Sequence, residues 1–162
     1  MSARNSFPED HALFAGFLAA SRQEIVKSLD GHDVILVLGA PAFTYHVEGS
    51  GPHIPEGSQL FQISDNDNTI AWSPVGTAVI SSMKPALQNL IASSSPQPRS
   101  VPEVLPPAPQ LDGSPFTDKY VLQQLAKLRS PESIIVEEAP SCRGPMHDYL
   151  PILERDTFYT CA

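Results

Sequence analysis

Seven prolines fall between Ser95 and Pro115: Pro96, Pro98, Pro102, Pro106, Pro107, Pro109 and Pro115. Each fixes φ and removes a backbone donor, so this stretch can join neither a sheet ladder nor a helix interior. It reads as an extended linker, with one folding part over residues 1–94, the linker over 95–115 and a second part over 116–162. Hydrophobic residues make up 41% of the 162, enough for a core and too many for a disordered chain.

The first part alternates helix and strand signals. Apolar residues recur at helical spacing from Leu13 to Leu29, and Asp30-Gly31 supplies a stop. "DVILVLG" follows, a short run rich in Val and Ile without alternation, as in a strand covered on both faces of a parallel sheet. Ser58–Asn66 and Thr77–Ser82 predict two more strands, with a short helix or turn at "NTIAWSPVG" between them. "MKPALQNLIASS" predicts a helix with Leu87, Leu90 and Ile91 on one face and Pro85 tolerated in the first turn. The pattern is that of a layered α/β fold, a Rossmann-like partial parallel sheet.

Beyond the linker the alternation restarts. A helix is predicted from about Asp118 to Arg129, with Thr117 as its N-cap and Val121, Leu122, Leu125 and Leu128 inward. "SIIVEEAP" predicts a strand ending in acidic residues, "MHDYLPILERD" a helix or loop, and "TFYTCA" the opening of another strand. These make an incomplete second α/β unit. One helix, one strand and a stub bury little apolar surface, and a three-stranded parallel sheet leaves an open edge. Both features predict a piece of a larger fold.

Charge and motifs exclude several functions. With 10 Lys+Arg against 18 Asp+Glu the formal charge is −8, which repels phosphate backbones and argues against nucleic acid. The longest apolar run, Val34–Phe43, is about half the ~20 residues that cross a bilayer, and Gly39 and Pro41 interrupt it. The first residues lack the apolar core of a signal peptide, and Cys142 and Cys161 read as reduced thiols of a cytoplasmic protein. Asp65–Asn68 lacks the Gly and Glu that an EF-hand places downstream, and Gly49–Gly51 opens no helix that could hold a pyrophosphate. His32, His46, His53 and His147 show no paired metal-ligand spacing. Cys142 with His147 could be drawn as nucleophile and base, but a free thiol beside a loop is the better reading.

His46 stands apart, because it falls just outside the carboxyl end of the "VILVLG" strand, where open α/β sheets bind ligands. Glu137-Glu138 occupies the same place after its own strand, and there a solvated strand end is the leading reading.

"GHDVILVLGAPAFTYH", Gly31–His46, resembles the middle domain of thiamine-diphosphate-dependent decarboxylases, most closely their benzoylformate decarboxylase branch. The likeness continues through "IPEGSQLFQISDN" and "SPVGTAVI" to "SIIVEEAPSCRGPMHDYLPI" and "TFYTCA", and "FPEDHALFAGFL" also fits. The resemblance implies that residues 1–94 are the later part of a middle domain lacking its first strands. It makes 116–162 the truncated start of the C-terminal, diphosphate-binding domain. For the parent family it implies thiamine diphosphate and Mg²⁺ as cofactors, an aromatic 2-oxo acid such as benzoylformate as substrate, and a homotetramer.

By the same resemblance His46 matches the family's catalytic acid/base, and Glu138 and Ser141 match positions near the cofactor, Ser141 toward the diphosphate. Loss of CO2 from a 2-oxo acid must be followed by proton delivery, and a residue titrating near neutrality suits that task. The family's activating glutamate belongs to a domain before Phe7, and its Gly-Asp-Gly…Asn motif for Mg²⁺ comes further downstream. The expectation is a decarboxylase fragment that is inactive, and binds no cofactor, alone. Two other readings stand beside it. One is a non-catalytic interaction module, or half of a split enzyme that complements a partner chain through its exposed sheet edge. The other is a domain binding ADP or flavin, against which the missing glycine-rich turn argues.

Overall fold

The computed structural model describes residues 7–43, 45, 47, 49–93, 97, 106–139 and 141–160. Contacts divide the chain into two compact units. One takes in Phe17–Pro98; the other takes in Arg99–Ala162 together with the leading segment that ends at Gly16. The class is mixed α/β with short parallel sheets, as the alternation of helix and strand signals predicts.

In the first unit, α1 (Arg22–Ser28), β1 (Val34–Leu38), β2 (Gln59–Ser64), α2 (Asp67–Ala71), β3 (Thr77–Ile80) and α3 (Met83–Ser93) follow one another. The strands form a parallel sheet in the order β1-β2-β3, with Ile35 opposite Leu60 and Ile63 opposite Val79. Buried Ile35, Ala42 and Leu60 form the core, and Leu29, Val37, Phe43, Ile54 and Val75 pack against it. β2 lies in the middle and buries Leu60, Gln62, Ile63 and Ser64.

The edge strand corrects one expectation. The sequence of β1 suits burial on both faces, yet Val34, Leu36 and Leu38 are 54%, 44% and 42% exposed. These three alternate along the strand and so share one face, which lacks the cover that Ile35 has on the other. α1 is also shorter than its periodicity predicts. Ser21 takes extended backbone and its Oγ accepts from the Glu24 N–H, so the helix begins at Arg22. Leu13, Phe17 and Leu18, the apolar residues before it, are exposed. α3 forms over the expected residues, but Leu90 and Ile91 are exposed and none of its residues is buried.

In the second unit, α4 (Asp118–Leu128), β4 (Ile135–Glu137), α5 (Arg143–Tyr149) and β5 (Phe158–Thr160) follow. The Thr117 Oγ1 accepts from the Tyr120 N–H at 3.3 Å and caps α4 as expected. The inward face is only partly the predicted one. Leu122 and Ala126 pack against the core, while Val121, Leu125 and Leu128 are exposed and line a shallow apolar groove with Phe116 and Tyr120. Gln123 is buried, and its amide makes a reciprocal pair with the Leu111 backbone, donating to the carbonyl and accepting from the N–H at 2.8 Å each. That pair ties the end of the proline-rich segment to α4.

β4 and β5 pair in parallel over a core of Met146, Leu150, Ile152 and Phe158. The leading segment packs here too. Glu9 exchanges backbone and side-chain bonds with Ile152: its N–H donates to the Ile152 carbonyl at 3.2 Å, and its carboxylate accepts from the Ile152 N–H at 2.9 Å. The same carboxylate pairs with His147 Nδ1 at 2.9 Å. No helix among the described residues is long and apolar enough to cross a membrane.

Candidate functional site at two strand ends

At the carboxyl end of β1 the chain turns through Gly39, at φ +65°, whose N–H donates to the Ile63 carbonyl at 2.9 Å. From inside the sheet, Gln62 Nε2 donates to the Ala40 carbonyl at 2.8 Å and fixes the Gly39-Ala40-Pro41 turn. His46 lies outside the described residues; Tyr45 and Val47 are described. The Val47 N–H donates to the Ala20 carbonyl at 3.2 Å. The Tyr45 hydroxyl pairs with His53 Nδ1 at 2.7 Å, and the Arg22 guanidinium stands 5.0 Å over the Tyr45 ring. Arg22 Nη1 also donates to the Gly51 carbonyl at 3.1 Å, which holds the loop after β1 against α1.

The electrostatics set the direction of the tyrosine–histidine bond. Burial, and then the positive charge of Arg22, hold the His53 imidazole below its ordinary range. Burial pushes the Tyr45 phenol up, against the opposing pull of Arg22. At neutral pH the phenol therefore donates and the neutral Nδ1 accepts. The unfolded chain binds this proton more readily than the folded one, so the contribution to stability is present above the unfolded value and is lost as pH falls. The urea midpoint of the first unit is expected to drop between about pH 7 and about pH 5. His53→Gln should flatten that drop, as circular dichroism melts at both pH values would show.

At the carboxyl end of β4 the two glutamates have opposite fates. Glu137, expected to be a solvated strand end, is only 4% exposed, whereas Glu138 is exposed. Arg143 donates to Glu137 Oε2 through Nε at 3.0 Å and Nη2 at 2.7 Å, and the Thr160 hydroxyl donates to the same oxygen at 2.7 Å. Glu137 Oε1 accepts from the Ala139 N–H at 2.7 Å. Burial alone would raise this carboxyl's pKa; the bonds from Thr160, Arg143 and Ala139 outweigh it and hold it below the ordinary range.

Ser141 is exposed, with its Oγ 3.8 Å from Cys142 Sγ. The Cys142 thiol is directed to Asp118 Oδ2 at 3.6 Å and His147 to Glu9, so the thiol and imidazole have separate partners, in line with a free thiol. No group of three possible metal ligands occurs among the described residues. Sequence reasoning missed Glu137, Arg143 and Thr160 as a unit. Arg143 and Thr160 come from later elements, so no local pattern around β4 pointed to them.

No protein-family model matches the chain. It is 36% identical over 142 residues to benzoylformate decarboxylase of Pseudomonas aeruginosa, a match covering 86% of this chain and 27% of that protein. A thiamine diphosphate-dependent 4-hydroxybenzoylformate decarboxylase of Rhodococcus jostii superposes with a TM-score of 0.88 at 27% identity, over 98% of this chain and 30% of the other. Benzoylformate decarboxylase from Polynucleobacter necessarius gives 0.92 at 36% identity, again over 98% of this chain and 30% of the other. The chain is related to the thiamine-diphosphate-dependent benzoylformate decarboxylases. The resemblance drawn from Gly31–His46 is thereby borne out for the family. The chain spans about 30% of the length of these solved benzoylformate decarboxylase relatives, and its two strand ends belong to that shared portion.

Proposed function

We propose that this chain supplies part of a thiamine-diphosphate-dependent decarboxylase of aromatic 2-oxo acids such as benzoylformate. Of the expected span 1–94, residues from Phe17 onward form the later part of its middle domain, while 116–162, on which the leading segment packs through Glu9, form the start of its diphosphate-binding domain. The observation that carries this reading is the match in fold and sequence together, with a TM-score of 0.92 at 36% identity over nearly the whole chain.

The donor chemistry of the second strand end is compatible with the cofactor. Ser141, exposed on the turn after β4, offers a hydroxyl that can donate to a diphosphate oxygen. Glu138, also exposed, would repel a diphosphate and suits a donor-bearing or positive part of the cofactor. Mg²⁺ would neutralise the diphosphate, with ligands from elsewhere in the assembly. When bound, the cofactor supplies the electron sink for decarboxylation. In this reading His46 holds and delivers the proton that replaces CO2, and Tyr45, His53 and Arg22 anchor the loop beside it. A homotetrameric parent assembly completes the reading, and the free thiol of Cys142 supports a reducing, cytoplasmic setting.

A second reading, half of a split enzyme that completes a partner chain, is favoured by the uncovered apolar faces. Val34, Leu36 and Leu38 on β1, and Phe116, Leu125 and Leu128 at α4, present hydrocarbon that a partner would bury. Both readings expect this chain to be inactive alone. Purified chain with thiamine diphosphate, Mg²⁺ and benzoylformate should release no CO2 above the protein-free background. Sustained turnover by the chain alone would overturn both.

A further inference from the structure

Glu137 sits where a buried charge is costly, and its bonds to side chains join three elements, its own strand included. Arg143 is the first residue of α5, Thr160 the last of β5, and Glu137 the last of β4. Arg143 Nη2 also donates to the Thr160 hydroxyl at 3.1 Å, so the three side chains close on one another. The second carboxylate oxygen takes no part in that closure; it accepts the Ala139 N–H. The Ala139 carbonyl in turn accepts the Cys142 N–H at 2.9 Å, and the Cys142 carbonyl accepts the Met146 N–H at 2.9 Å inside α5. The bonds thus run from Glu137 through the turn into α5 and return through Arg143. Glu138 and Ser141, both exposed, belong to that turn.

Joining strand ends does not by itself require a carboxylate. Well-packed hydrophobic residues in place of a buried ion pair often leave stability unchanged or improved. An apolar side chain cannot, however, accept the Ala139 N–H and so fix the backbone that follows the strand. We propose that Glu137 is a positioning residue whose carboxylate, held by Arg143 and Thr160, sets the turn that presents Glu138 and Ser141 to the cofactor. This rests on the reading of Glu138 and Ser141 given above.

Two measurements test it. In the intact chain, amide NMR of Glu137→Gln should show shifted Ala139, Ser141 and Cys142 resonances while those of β2 keep their positions. In a mixture with a polypeptide carrying the remaining domains, the thiamine diphosphate concentration for half-maximal decarboxylation should rise about tenfold, with kcat within about threefold of wild type. Thr160→Val should act in the same direction and carries the test if Glu137→Gln does not fold, whereas Thr160→Ser, which keeps the hydroxyl, should behave as wild type. Unchanged half-saturation for the folded variants in an active mixture overturns the proposal. If the wild-type mixture is inactive, the functional reading fails instead, and the amide spectra decide: unmoved Ser141 and Ala139 resonances in the folded variants overturn the positioning role.

Discussion

Arg143→Met is expected to destabilise the second unit by about 3–5 kcal/mol, the cost of leaving one member of a buried ion pair without its partner. The Glu137 side chain is only 3% exposed and that of Arg143 19%, so water reaches the carboxylate poorly when the guanidinium leaves. Thr160 and the Ala139 N–H would remain as donors, and methionine would keep the stem packing. A domain of this size has few kcal/mol to lose, so much of the second unit should be unfolded at modest urea, as Ile152 amide intensities would report. A loss below about 1 kcal/mol would show that the pair is screened like a surface bridge.

The pH dependence follows with its sign. The folded Glu137 carboxyl titrates below its unfolded value, so its contribution is complete above the unfolded carboxylate range and is lost as pH falls through the folded value. Wild-type second unit should therefore weaken in acid, and Arg143→Met, which removes one of the groups that hold the folded value down, should lose less stability than wild type over the same fall in pH.

Gly76→Ala should destabilise the first unit by about 2–4 kcal/mol, from backbone strain and a steric clash together. Gly76 stands at φ +97° just before β3, a conformation that favours glycine. A Cβ there would lie 2.6 Å from the Leu60 carbonyl oxygen and 2.8 Å from the Leu60 Cβ. Leu60 cannot yield easily, because it is 3% exposed on the middle strand and packs in the core with Ile35 and Ala42. Gly57→Ala separates the two contributions. Gly57 is also left-handed, at φ +82°, but nothing lies within 4 Å of its would-be Cβ. That variant should lose only about 1 kcal/mol, the strain alone. Urea melts followed by circular dichroism would compare the pair, and equal losses would remove the clash with Leu60 from the account.

Local chemistry made several elements legible in the sequence. Thr117 and Pro85 mark helix starts by their own backbone preferences, and the Val/Ile-rich run before Gly39 could hardly be anything but a strand. Long-range cover was not legible. Periodicity put Val121, Leu122, Leu125 and Leu128 on the inward side of α4, but which of them meets the core depends on neighbours far away in the chain: Leu122 does, together with Ala126, and the other three are exposed. The apolar residues of β1 likewise suit two covers and have one. For the site, the strand-end argument drew notice to His46 and to the Glu137-Glu138 pair, since ligand positions outside strand ends follow from the fold class. It could not separate Glu137 from Glu138, because the inward partners, Arg143 and Thr160, come from later elements. The Tyr45–His53 bond was hidden for a similar reason: the two side chains stand eight positions apart, with no regular element among the described residues to set their spacing.

The most direct test of this account is CO2 release from benzoylformate by the chain mixed with a polypeptide carrying the remaining domains, with thiamine diphosphate and Mg²⁺ present. The account predicts turnover that neither component shows alone and that His46→Ala lowers by about a hundredfold or more. A stable, folded complex that releases no CO2, or turnover indifferent to His46→Ala, would contradict it.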